Sequence, residues 1–137
     1  MNIQAFLKPF HEIIYVYDDH PLGEALKIMT EHRFQTIPII TRDQKYVGTL
    51  AEGDFLHFIL EKDNFHEIEK LNEFVVNDVK RHRDYEPLNI DSLMATLLAK
   101  AADENFVPII DQNDIFIGII TRKTLLNYFF EHNFLVL

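Results

Sequence analysis

Thr121, Arg122 and Lys123 stand in a row where an apolar run gives way to a helical pattern. A hydroxyl, the unpaired N–H groups of a first helical turn and two cations are the parts of a phosphate cradle. The same three residues also suit a capped helix carrying two solvated charges. Lys80, Arg81 and Arg83 form the densest basic cluster, just ahead of Pro87-Leu88. That cluster can reach a phosphate at a second site, or serve as a solvated or intersubunit patch. Asp54 is the notable acid. A carboxylate accepts hydrogen bonds from two neighbouring hydroxyls, and it equally well caps the helix expected over Phe55–Leu60.

Other chemistries lack their parts. The chain has no cysteine, which removes disulfides, thiolate metal sites and cysteine nucleophiles. Ser92, the only serine, sits at an expected helix start. Glu52 and Asp54 are close in sequence, but nothing sets a second carboxylate across a cleft for acid–base work. The histidines, among them His57, His66 and His132, show no helical i, i+4 pairing. Neither an enzyme nor a metal site is expected.

The chain that must position these residues has 137 of them, 47% hydrophobic and 26% charged, which is globular composition. Its formal charge of −9 is spread over both halves and repels a polyanion, so no nucleic-acid partner is expected. A local cationic spot can still hold a small anion. The start, MNIQAFLKPFHEII, lacks the pattern of a signal peptide. Apolar runs fall short of the roughly 18 residues of a membrane helix. The expected address is cytoplasmic, with no membrane contact. The apolar end, Phe129, Phe130 and Phe134 to Leu137, is expected to pack on the domain or on a second subunit.

An internal repeat organises everything else. Thr36-Ile-Pro-Ile-Ile matches Phe106-Val-Pro-Ile-Ile, and Tyr46-Val-Gly-Thr-Leu matches Phe116-Ile-Gly-Ile-Ile. Pro38 pairs with Pro108 and Gly48 with Gly118 at one shared offset, which continues without a gap through Ile59 and Phe129. Upstream, Leu22, Ala25, Leu26 and Met29 make an apolar helical stripe, echoed by Met94, Leu97, Leu98 and Ala101. Each copy reads strand, helix, strand, strand, helix. The first copy is expected at Ile13–Tyr17, Leu22–His32, Ile37–Ile40, Tyr46–Leu50 and Asp54–Leu60. The second is expected at Leu88–Ile90, Ser92–Ala102, Phe106–Ile110, Ile115–Ile120 and Lys123–His132. Thr41–Lys45 and Asp111–Asp114 read as hairpin loops. Between the copies runs Glu61–Val79, with a short turn at Asn77 or Asp78. Residues 1–70 form one repeat with its leading segment and linker, and residues 71–137 form the other. A half-unit of this size has one apolar face and little to bury it against, so two copies should share one α/β (α+β) domain.

The unit resembles the CBS (cystathionine β-synthase) domain pair, or Bateman module. The residues that carry the resemblance are Ile37-Pro38-Ile39-Ile40 with Gly48-Thr-Leu-Ala-Glu-Gly-Asp54, and Val107-Pro108-Ile109-Ile110 with Gly118-Ile-Ile-Thr-Arg-Lys-Thr124. The chain is similar in particular to stand-alone CBS-pair proteins of Gram-positive bacteria. The resemblance implies two repeats related by a pseudo-two-fold axis, with ligand clefts between them. It implies an adenine nucleotide as ligand (AMP, ADP, ATP or cyclic di-AMP) and a homodimer formed through the helices at the end of each repeat. In those clefts Asp54 takes the ribose hydroxyls, and Thr121, Arg122 and Lys123 take phosphate. Ile14, Thr36, Ile37 and Pro38 line one base slot; Leu88, Phe106, Val107 and Pro108 line the other. For Phe106 and Val107, ordinary core packing is the stronger expectation.

The motif is divided between the copies. The first keeps Asp54 but has Ala51 where the family has Thr or Ser; the second keeps Thr121 but has Thr124 where the family has Asp. The two sites should therefore differ. The expected function is a regulatory module that binds an adenine nucleotide and changes its contact with a regulated protein. The alternative is a protein-interaction or dimerisation module whose nucleotide sites have decayed.

Overall fold

A computed structural model describes residues 2–62 and 68–132, with the backbone alone for Ile68. A 3-10 turn (Ile3–Phe6) leads to strand β1 (Lys8–Pro9) and a second 3-10 turn (Phe10–Glu12). Then come β2 (Val16–Tyr17), helix α1 (Leu22–His32), β3 (Thr36–Ile40), β4 (Tyr46–Ala51) and α2 (Glu52–Glu61). Two 3-10 segments follow, Ile68–Glu73 and Val76–Asp78. The chain closes with β5 (Leu88–Asn89), α3 (Met94–Ala101), β6 (Phe106–Ile110), β7 (Phe116–Thr121) and α4 (Arg122–Glu131). The mixed α/β class and the doubled order of elements are as the sequence leads one to expect. The apolar end from Phe134 onward, and His66, lie outside the described residues.

α1 occupies the span given by its apolar stripe, Leu22, Ala25 and Met29 being buried. It ends where Arg33 turns left-handed (φ 56°) and donates its N–H to the carbonyls of Met29 and Thr30. Other ends shift by a residue or two. Ser92 falls outside α3 because its N–H closes a turn onto the Asn89 carbonyl at 2.9 Å. α2 begins at Glu52, two residues before its expected start, because β4 runs straight into it. There the Glu52 N–H is pinned to the Gln35 carbonyl at 3.0 Å.

The two hairpins share one register. Pro38 faces Thr49 and Ile39 faces Gly48; Pro108 faces Ile119 and Ile109 faces Gly118. Each tip carries a left-handed residue, Gln44 (φ 63°) or Asp114 (φ 61°). β3 and β6 are flanked on both sides, which ordinarily excludes proline. However, the parallel neighbours β2 and β5 are two residues long and start opposite Ile39 and Ile109. Pro38 and Pro108 lie just beyond them, where no partner needs an N–H.

Two compact units result, and they do not follow the division at residue 70. Ile14–Asp84 form the first unit; residues through Ile13 join those from Tyr85 onward in the second. The first holds the sheet β2-β3-β4. Its core joins Val16, Ile37, Ile39, Leu50, Phe55 and Phe58 to Leu71, Val76 and Val79 from the expected linker. Backbone bonds tie that linker down: Leu22 N–H to Phe74 O and Val76 N–H to His20 O, at 2.9 and 3.0 Å. The second unit holds the sheet β1-β7-β6-β5. Ile3 and Phe6 enter its core beside Leu97, Val107, Ile109, Ile120 and Leu125. Burying such a side chain is worth roughly 1.5–3 kcal/mol, so these added segments are structural parts of each unit.

Gly118 has φ +152°, and a Cβ there would overlap the Lys8 carbonyl oxygen of β1. A Gly118→Ala substitution is therefore expected to destabilise by about 2–4 kcal/mol, from strain and loss of β1 pairing. Gly53, in α2, has nothing within 4 Å of its Cβ position. Gly53→Ala should stabilise by up to about 1 kcal/mol. Urea unfolding of the two variants checks both signs.

Candidate functional site

Thr36 pairs with Ala51, and Phe106 with Thr121, so each hairpin sets the start of one strand beside the start of the following helix. The Arg122 N–H is pinned to the Asn105 carbonyl at 2.9 Å, as Glu52 is to Gln35. Thr36, Ile37 and Asp54 are thereby brought to one end of the first unit. Phe106, Val107 and Thr121 to Lys123 are brought to the same end of the second.

Asp54 is 4% exposed. Its Oδ2 accepts the Ala51 N–H at 2.9 Å and its Oδ1 the His82 N–H at 3.0 Å. The helix cap is Ala51, not Asp54, which stands at the third helical position. From there its carboxylate reaches back to the cap N–H, one half of a capping box; Ala51 has no hydroxyl to supply the other half. α4 has the complementary half. Thr121 Oγ1 accepts the Thr124 N–H at 3.1 Å and lies 2.8 Å from the Thr124 hydroxyl. The motif split in the sequence is thus one capping arrangement, half kept at each helix.

Arg122 is half-buried and lies against the end of α3. Its Nε donates to the Ala101 carbonyl at 2.7 Å, supplying a donor to the last turn of α3, whose carbonyls lack partners within the helix. Lys123 is exposed. Ile37 and Val107 are fully buried in the cores of their units. Pro38 and Pro108 are buried as well, Thr36 is half-buried and Ile14 is exposed. Phe106 is buried and meets the Tyr85 ring edge to face, with centroids 5.1 Å apart. Core packing thus describes the side chains of Ile37, Phe106 and Val107.

A cavity of about 520 Å³ opens at the start of α2. Ala51, Gly53, Asp54 and His57 bound it on the helix side, and Lys80, Arg81 and His82 bound it on the other. The sequence left the basic cluster two roles, a phosphate at a second site or a solvated or intersubunit patch; the structure sets Lys80 and Arg81 in the first unit, beside Asp54. His57 lies 3.0 Å from Glu61, and Arg81 is paired with Asp84 at 2.7 Å. The histidines here carried no signal in the sequence, since neither spacing nor a neighbouring motif marks them.

A second cavity of about 500 Å³ lies in the other unit between α3 and α4, lined by Leu98, Ala101, Leu125, Leu126 and Phe129 with Arg122 at its rim. Its described lining is apolar apart from Arg122. The residues with shifted proton affinities lie outside both cavities. Arg42 donates to Asp19 at 2.8–3.1 Å and holds its carboxyl below the usual range. The Tyr15 hydroxyl donates to Tyr17, which holds its proton affinity above the usual tyrosine range. Among the described residues no group of three His, Asp or Glu is placed to hold a metal ion.

Residues 7–61 match the family model described as the CBS domain. A structure of CbpB in complex with c-di-AMP superimposes with a TM-score of 0.85 at 24% identity, covering 98% of this chain and 89% of that one. A CBS domain protein from Streptococcus pneumoniae gives 0.82 at 26%, covering 94% and 86%. CBSX2 in complex with AMP gives 0.71 at 19%, covering 96% and 98%. A homoserine O-acetyltransferase of Methanococcus vannielii is 22% identical over 82% of this chain, which spans 22% of that protein's length.

Thr121→Ala should cost about 1 kcal/mol of stability through loss of the α4 cap. Thr124→Asp, which supplies the missing half of the box, should add about 0.5–1 kcal/mol. Urea denaturation midpoints measure both.

Proposed function

From a chain whose residues 7–61 match the CBS domain model and whose fold is that of tandem CBS proteins, we propose a non-enzymatic regulatory module that binds an adenine nucleotide. The observation that carries this is the meeting of the buried Asp54 with Lys80 and Arg81 around one cavity. An anion there gains charge-assisted hydrogen bonds from the two cations. Each Asp54 oxygen has accepted one N–H, and each keeps a second lone pair for a ribose hydroxyl. The candidates are AMP, ADP, ATP and cyclic di-AMP; the similar CbpB and CBSX2 structures contain c-di-AMP and AMP. The ligand regulates by preferring one conformation and so shifting the population that a regulated protein partner recognises. The same reading puts the module in the cytoplasm.

A thermal-shift panel with these four nucleotides tests it. At a hundred times its Kd the true ligand should add about 2.7 kcal/mol, a rise of roughly 10–20 °C in Tm for units of this size. Asp54→Asn keeps an acceptor for the fold but loses the charge, and should weaken binding about tenfold. No shift with any of the four at millimolar concentration would count against a nucleotide sensor.

A second reading has its own support. Thr121, Thr124 and Arg122 make internal hydrogen bonds, as an interaction module with decayed sites would have. That reading expects Asp54→Asn to leave nucleotide response unchanged.

For assembly we propose a homodimer through α2 and α4. Leu60 is 70% and Phe130 74% exposed, and Leu56 and Leu126 lie one turn before them on the same faces. Leu60→Glu with Phe130→Glu should convert a dimer to monomer in sedimentation velocity, with circular dichroism unchanged. A dimer that survives both changes sinks this assignment.

A further inference from the structure

Gly48 and Gly118 hold equivalent places, yet different things fill the space beside them. At Gly118 it is main chain, Lys8 and Pro9 of β1; at Gly48 it is a carboxylate, that of Asp84, which a Cβ would overlap. Asp84 Oδ1 accepts the Thr49 N–H at 3.1 Å, so the strand backbone fixes its position. The same carboxylate takes Arg81 with two donors, Nε to Oδ1 at 2.7 Å and Nη2 to Oδ2 at 3.3 Å. The Arg81 side chain is only 15% exposed, and it lines the cavity beside Asp54 and Lys80.

An exposed ion pair usually contributes little and does not hold a geometry. Here the carboxylate is anchored by a backbone donor and the guanidinium is largely buried. The pairing uses two of the five guanidinium donors, and the others are what an anion in the cavity can take. A guanidinium already held in place loses less freedom when a phosphate arrives.

We propose that Asp84 is a positioning residue that sets Arg81 as the phosphate-selecting donor of the first unit's site, with Gly48 the residue that admits it. This rests on the nucleotide reading above and assigns how that site tells a phosphorylated ligand from a bare nucleoside. Among the described residues the second unit has no counterpart, since main chain fills the place beside Gly118.

Titration of the full chain with AMP, cyclic di-AMP and adenosine, followed by NMR, tests it. Arg81→Ala should weaken the phosphate-bearing ligands about tenfold or more and adenosine less than about twofold. Asp84→Asn, nearly isosteric, should lower the phosphate preference about three- to tenfold, and the double variant should be no weaker than Arg81→Ala alone. Gly48→Ala should follow Asp84→Asn by displacing the carboxylate. Equal weakening of adenosine and AMP, or additive losses in the double variant, would overturn the positioning role and leave the nucleotide site standing. Asp84→Asn with unchanged preference would do the same. Failure of the unaltered protein to bind any of AMP, ADP, ATP and cyclic di-AMP would overturn both proposals.

Discussion

A short parallel strand, a hairpin and two helices expose one apolar face and a sheet edge that they cannot cover themselves, and the need to cover both shapes the whole protein. In the first unit Leu71, Val76 and Val79 fill the face, and the Asp84 carboxylate takes the Thr49 N–H of β4. In the second unit Ile3 and Phe6 fill the face, and β1 pairs with the edge of β7. Each finishing segment precedes the repeat it does not pack with: residues 71–84 lead into the second repeat but complete the first unit. A glycine marks both closures, because only a residue without a side chain lets carboxylate or main chain come so near the strand.

The candidate site is a consequence of that closure. Asp54 would be an ordinary third-position helix acid if nothing crossed in front of it. The crossing segment delivers the His82 N–H to its second oxygen and sets Lys80 and Arg81 on the opposite wall. The same contacts thus finish the unit and collect the charges. In the second unit the crossing segment is β1, whose two residues are Lys8 and Pro9, and among the described residues no comparable charge cluster forms there. The difference between the two units follows from what crosses each one, more than from the residues of the repeats themselves.

Fold likeness and chemical likeness carry different weight here. Structures with about a quarter of their residues in common superimpose over nearly the whole chain. Apolar spacing, hairpin register and the paired glycines maintain that shape, and many sequences satisfy them. The groups that would hold a ligand are few and carried on side chains, so the cavity and not the backbone superposition fixes them.

What the sequence determined by itself was everything encoded in local periodicity. The stripe Leu22, Ala25, Met29 specified α1 to its ends, and the polar tips at Thr41–Lys45 and Asp111–Asp114 specified the hairpins. The shared offset of Pro38 and Pro108 specified the doubling. Asp54 and the basic run at Lys80 stood out by residue type alone. Only the tertiary structure decided that the basic run meets Asp54, that Arg122 turns to the Ala101 carbonyl, and that Ile3 belongs with Leu125. The spacing of apolar residues tells which face of an element must be covered, but not which distant segment covers it. That choice is made by packing volume and backbone pairing between residues far apart in the chain, which leave no periodic trace.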